Sequence, residues 1–208
     1  MTVALHRDRR GAAPATPTTC SAREADPRDD DAALVLRARA GDRLAEEAIY
    51  RRHVRYIGSL ALRLSARRQD AEDIVQDTFA LALSSLDQLR EPAALRGWLA
   101  RIAVSRCQRA MRRRKVLRFV GLDDGADDAP LHSLCARDAP ADVRAELAAV
   151  ESALARASAD ERAAWVLHRV NGETLEAVAS LCACSLATVK RRVAAAEARV
   201  ARAMGGAS

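Results

Sequence analysis

Apolar residues recur along this chain at three- and four-residue steps, a rhythm that predicts helices rather than strands. Asp30 or Asp31 is placed to cap a short helix carrying Leu34, Val35 and Leu36, which Gly41 stops. Asp42 is placed to cap a second, whose stripe runs Leu44, Ala48, Ile49, Tyr56, Ile57, Leu60 and Leu64. A third, with Asp70 as its expected cap, carries Ile74, Val75, Thr78, Phe79, Ala82 and Leu86. Pro92, in LREPAA, breaks the pattern. A fourth follows, with Leu95, Trp98, Leu99, Ile102 and Ala103 apolar and arginines filling the remaining positions.

Between 118 and 141 the rhythm lapses. Clusters of Gly, Asp and Pro, as in GLDDGADDAP, predict an acidic flexible linker. Helices return from 142 to 203. Leu147, Val150 and Leu154 stripe the first, and Ala164, Trp165, Leu167, His168 and Val170 the next, which Asn171-Gly172 ends. ETLEAVASLCACSLATVKRRV then divides into a short helix (174–180), a turn (181–184) and a longer helix with Ser185 as N-cap. Leu175, Val178 and Ala179 face inward on the first of these, and Leu186, Val189, Val193, Ala196 and Val200 on the second. Two short amphipathic helices joined by a tight turn predict a helix-turn-helix. Thr188, Lys190, Arg191 and Arg192 then fall on the outer face of the second helix, the one that enters the DNA major groove in this motif. Residues 1–28 have no rhythm and many small residues and prolines, which predicts a disordered leader.

Composition sharpens this picture. Half of the 208 residues are hydrophobic but only 3% are aromatic, so the core must be Ala, Leu and Val. Ala, Leu and Arg are strong helix formers. The expected fold is all-α, with two small helical domains (29–117 and 142–203) joined by the acidic linker.

The net charge is +6 and is concentrated. Residues 96–118 hold Arg96, Arg101, Arg106, Arg109, Arg112, Arg113, Arg114, Lys115 and Arg118 with no Asp or Glu. Like charges so dense repel, and a polyanion relieves them. Five cysteines at irregular spacing give no disulfide framework and point to a reducing, cytoplasmic setting. No apolar run approaches the ~20 residues of a membrane span, and no signal peptide is evident. His132-x-x-Cys135 and Cys182-x-Cys184 lie in different elements without the four-ligand spacing of structural zinc, so neither a metal nor a cofactor is expected. No nucleophile–base pair, paired carboxylates or Gly-rich phosphate loop stands out, so no enzyme activity is expected.

Two segments together carry a family resemblance. AEDIVQDTFALAL (71–83), LRGWLARIA (95–103) and the basic helix resemble region 2 of bacterial RNA polymerase sigma factors. NGETLEAVA and ATVKRRV, in the helix-turn-helix, resemble region 4. Region 2, linker and region 4 alone form the layout of the extracytoplasmic-function (ECF) group of the sigma-70 family. The chain departs from the usual pattern at Ser105 (usually Asn), Arg109 (often Asp), Ala183 (usually Gly) and Ser185 (usually Pro), and the loop before Trp98 lacks the common aromatic. These departures bear on the promoter read, not on the class.

The resemblance implies a non-enzymatic initiation factor that binds core RNA polymerase and promoter DNA and promotes melting. It implies contacts to the minus-ten element by Ser105, Gln108, Arg109, Arg112, Arg113 and Lys115, and by Arg90, Glu91 and Arg96 of the loop that captures an extruded base. Ser185, Thr188, Lys190, Arg191 and Arg192 would grip the minus-thirty-five element. Asp70, Glu72, Asp73, Gln76 and Asp77 would dock on the polymerase β′ clamp, the β flap would receive region 4, and an anti-sigma factor would mask the protein. The alternative reading is a free-standing helix-turn-helix regulator that binds an operator without polymerase.

Overall fold

The computed structural model describes residues 30–65, 67–121 and 140–205. The expected leader and most of the expected linker lie outside them. The helices are α1 (Asp31–Arg39), α2 (Arg43–Ser65), α3 (Arg68–Ser84), α4 (Leu95–Phe119), α5 (Ala141–Arg156), α6 (Ala159–Trp165), α7 (Leu175–Leu181) and α8 (Leu186–Gly205). Two 3-10 turns, Leu86–Gln88 and Pro92–Ala94, bridge α3 and α4. The described residues are all-α, as the periodicity predicts.

Local chemistry sets most boundaries. The Asp30 carboxylate accepts from the Ala33 amide at 2.7 Å and starts α1. Gly41, at φ +86°, ends it. Asp42 accepts from the amides of Leu44 (2.9 Å) and Ala45 (3.4 Å) at the start of α2. Arg37 donates to the same carboxylate from Nε at 2.9 Å and Nη2 at 2.7 Å. Chiefly through that hydrogen bonding, Arg37 holds Asp42 below the usual carboxylate range.

α3 corrects one expectation. It begins at Arg68 with no side-chain cap, and Asp70 lies inside the first turn. Ser65 donates to the Arg67 carbonyl at 3.0 Å, and the same carbonyl accepts from the Ala71 amide at 3.1 Å, so the helical bonding is under way before Asp70. Asp70 still complements the helix dipole from there.

α1 to α4 pack on one another, with α2 touching the other three. Their core holds Leu34, Ile49, Ile57, Leu60, Leu64, Phe79, Leu95, Leu99 and Val104, all buried. Tyr50 meets Phe79 edge-on at 4.8 Å and ties α2 to α3. Leu36, expected in the apolar set, is 59% exposed, because on α1 the inward face runs through Leu34, Val35 and Ala38. Leu147 and Val170, also read as apolar-stripe residues, are exposed.

α5, α6 and α7 each pack on α8. Ser158 and Glu161 form a reciprocal capping box at the start of α6. A single π-helical turn, Val166–Val170, follows α6 and ends at Asn171, with Gly172 at φ +73°. Thr174 caps α7, accepting from the Ala177 amide at 3.1 Å. The two sets of helices touch: α4 packs on α6 and α7. Buried residues from both sets form one continuous apolar core. Among the described residues, no helix is long and apolar enough to cross a membrane.

Candidate nucleic-acid interface

α4 is divided lengthwise. Leu95, Leu99, Ala100, Ala103, Val104 and Cys107 are buried, which fixes its orientation. Arg96, Arg101, Arg109, Arg112, Arg113 and Lys115 therefore emerge on the exposed side. Ser105 is half-buried. Gln108 corrects the sequence reading: it is only 7% exposed and lies with Cys107 on the packed side, not free to meet a base edge.

The cationic row is also less isolated than the local sequence suggests. Arg106 lies 3.9 Å from Asp77, and Arg114 lies 3.5 Å from Asp70. Arg112 reaches Asp160, on α6, at 3.1 Å. The neutralising acids come from other helices, where no local window finds them.

The α3 face holds the five expected polymerase-docking residues in register. Glu72, Asp73, Gln76 and Asp77 are exposed and Asp70 is half-buried. Glu72 pairs with Arg68 one turn away at 2.9 Å. Asp70, Asp73 and Asp77 face Arg106, Arg109 and Arg113 across a groove between α3 and α4. One wall is thus anionic and the other cationic.

The loop from α3 to α4 is anchored by Leu86 and Leu89, both buried. Arg39 of α1 holds the loop backbone: its guanidinium donates to the Leu86 carbonyl from Nε (3.3 Å) and Nη2 (3.0 Å), and Nη2 also donates to Leu89 O. Arg90 and Glu91 are left exposed at the tip. The Arg96 guanidinium stacks over the Tyr56 ring at 4.2 Å from its centroid. Sequence reading missed Arg39, because a basic residue in a last helical turn is explained by the dipole alone.

In the helix-turn-helix, Ala183 takes φ +50°. The Cys184 amide donates to Ala179 O at 3.1 Å and the Ala183 amide to Ser180 O at 3.3 Å, the paired bonds of a Schellman stop. The chain then turns at once into α8. Ser185 Oγ accepts from the Thr188 amide at 3.2 Å and lies 2.9 Å from the Thr188 hydroxyl, so Ser185 is the cap. Lys190 and Arg191 are exposed and Thr188 half-buried. Arg192 departs from the expected outward face. It turns inward, donating to Asp160 at 2.9 Å and to Cys184 Sγ at 3.3 Å.

This arrangement offers two cationic helix faces and an anionic helix face. Residues 49–116, from α2 to late α4, match the Sigma-70 region 2 family. The chain is 35% identical over 175 residues to the ECF RNA polymerase sigma factor SigM of Mycobacterium tuberculosis, covering 84% of this chain and 85% of that one. The chain belongs to the ECF sigma factors. The acidic α3 face, the loop and the arginine row of this sigma factor all fall within the matched region 2. A second relative, CnrH of Cupriavidus metallidurans, is 28% identical over 179 residues, with 84% of this chain and 94% of CnrH covered. The sigma factor also resembles the solved structure of CnrH in complex with the cytosolic domain of CnrY (TM-score 0.57, 25% identity, 86% of this chain and all of that one). The sigma factor RpoE of Bartonella quintana, solved with the anti-sigma factor NepR, aligns with a TM-score of 0.56 at 28% identity, over 76% of this chain and 96% of that one.

Proposed function

We propose that the chain acts as two DNA-gripping modules on one polymerase, divided at the linker between α4 and α5. It is an ECF-type sigma factor: it binds core RNA polymerase, recognises the minus-thirty-five and minus-ten promoter elements and promotes melting for initiation. It performs no chemistry of its own and works in the cytoplasm, where polymerase and chromosome are.

The observation that carries the assignment of surfaces is the α4 row. Its apolar face is buried, so Arg109, Arg112, Arg113 and Lys115 are set toward a phosphate backbone, with Ser105 beside them for base contact. Phosphate contacts position the protein, and base contacts give specificity. Arg90, Glu91 and Arg96 ring the loop that receives the extruded base. Ser185, Thr188, Lys190, Arg191 and Arg192 form the upstream grip on α8. Asp70, Glu72, Asp73, Gln76 and Asp77 dock on the β′ clamp, where opposite charge orients and speeds the encounter. The β flap receives the α5–α8 module. An anti-sigma factor restrains the protein, a reading supported by the relative RpoE, solved with the anti-sigma factor NepR.

A gel shift tests this reading. With core polymerase present, a duplex carrying the promoter is retarded by the sigma factor. Without it, binding is weak. Tight operator-like binding by the free chain as a dimer contradicts the proposal.

A further inference from the structure

Arg39 is the last residue of α1, where a cation complements the helix dipole. The dipole asks only for positive charge near the carbonyls of its own helix. The Arg39 guanidinium instead reaches carbonyls 47 and 50 positions further along the chain, Leu86 O and Leu89 O. Nε and Nη2 both donate to Leu86 O, at 3.3 and 3.0 Å, and Nη2 donates to Leu89 O as well. Asp87 lies 3.8 Å from Nε, but its side chain is 91% exposed, so water and salt screen that pair. Arg39 itself is held firmly. Leu34 and Val35 of α1 are fully buried, and Arg37 clamps Asp42 across the corner that follows.

The two carbonyls mark the start of the part of the loop with least support of its own. On one side, the Leu86–Gln88 turn closes as the Leu89 amide donates to Leu86 O at 3.1 Å. On the other, the Pro92–Ala94 turn closes as the Ala94 amide donates to Glu91 O at 2.9 Å. Between the turns the chain runs through Leu89 and Glu91, both extended. Buried Leu86 and Leu89 side chains fix the base of this link, and Arg39 fixes its backbone. Arg90 and Glu91 stand exposed beyond it.

Resting on the sigma reading, we propose that Arg39 is a positioning residue for base capture. Its fork holds the link from Leu89 to Glu91 in the shape that receives the extruded base, and it acts through the loop rather than on DNA. Extruding a base is costly. A loop that had to order itself at the same moment would add to that cost, and a loop held beforehand does not. Arg39 therefore serves melting, not duplex docking or attachment to polymerase. A lysine keeps the charge but loses the planar fork that serves two carbonyls at once.

The test uses full-length chain with core polymerase on two templates. One is the duplex from immediately upstream of the protein's own gene. The other is the same DNA held unpaired across the minus-ten element. Transcript yield is read on both, and 2-aminopurine placed in turn at each minus-ten position of the duplex reports extrusion. Co-elution with core polymerase and thermal melting check attachment and folding. Arg39→Ala is expected to lower the 2-aminopurine signal and the duplex transcript about tenfold, the size of one hydrogen bond to a charged group. On the unpaired template its yield should stay within about twofold of wild type, because the melting step is already done. Arg39→Lys should also fall on the duplex, and Asp87→Asn, which removes only the screened pair, should not. Equal losses on both templates would overturn the proposal, as would wild-type extrusion by Arg39→Ala or Arg39→Lys. A loss in Asp87→Asn as large as in Arg39→Ala would overturn it too, by assigning the effect to the ion pair. If the wild-type chain yields no transcript from either template, the sigma reading itself fails.

Discussion

Ala183 holds a left-handed backbone conformation, φ +50°, at the stop of α7. A Cβ in that conformation costs roughly 1–2 kcal/mol, and glycine avoids it. Part of the gain is offset by the freer unfolded chain, so Ala183→Gly is expected to stabilise the protein by about 0.5–1 kcal/mol in urea unfolding, with DNA binding unchanged. Two thiols make a second prediction. Burial pushes Cys107 up to about 12. Burial, and secondarily the neighbouring Cys184, pushes Cys182 up to about 12. Both stay protonated in mildly alkaline buffer. They should resist iodoacetamide in the folded chain and react after denaturation, as read by peptide mass spectrometry. The sign for stability follows: these thiols favour the fold fully below their ordinary value near 9.0, and that contribution is lost as pH rises toward about 12. Sequence could name the cationic candidates at this scale but not Asp160, whose two partners lie 48 and 32 positions away. It also misplaced Gln108, a polar side chain that lies on the packed side of α4 beside buried Val104 and Cys107.

The longer helices were legible because their apolar stripes repeat over several turns, and the shorter ones because Asp30, Ser158 and Thr174 cap them through their side chains. The α7 and α8 boundaries follow Thr174 and Ser185 closely. The start of α3 was not legible, since the helix begins at Arg68 with no side-chain cap and Asp70 lies inside its first turn. α4 is the element on which the DNA reading depends. Its exposed cations act on phosphates, so Arg113→Ala with Lys115→Ala should weaken promoter binding by the polymerase complex. The salt slope should flatten by about 0.9 for each phosphate left without its cation. Lys190→Ala with Arg191→Ala on α8 should impair use of the upstream element while leaving attachment to core polymerase intact. Anisotropy across a salt series checks the first, and transcription from templates with and without the upstream element checks the second.

For the whole molecule, the order of the described helices was readable, from the first four to the final helix-turn-helix, while the acidic connection lies outside the described residues. Their mutual packing was not, because the two sets are joined by a buried arginine on a carbonyl, two arginine–side-chain bonds and one shared carboxylate. None of these leaves a periodic trace in a sequence. Nor does periodicity tell a promoter-gripping arginine from one held by an acid on another helix. The central claim is that this chain directs core RNA polymerase to a promoter. Run-off transcription with purified core polymerase, on DNA from immediately upstream of the protein's own gene, tests it most directly. The account predicts a discrete transcript that requires both the chain and core enzyme and that Arg113→Ala with Lys115→Ala diminishes. A chain that neither co-elutes with core polymerase nor yields a transcript, with every bound inhibitor removed, contradicts it.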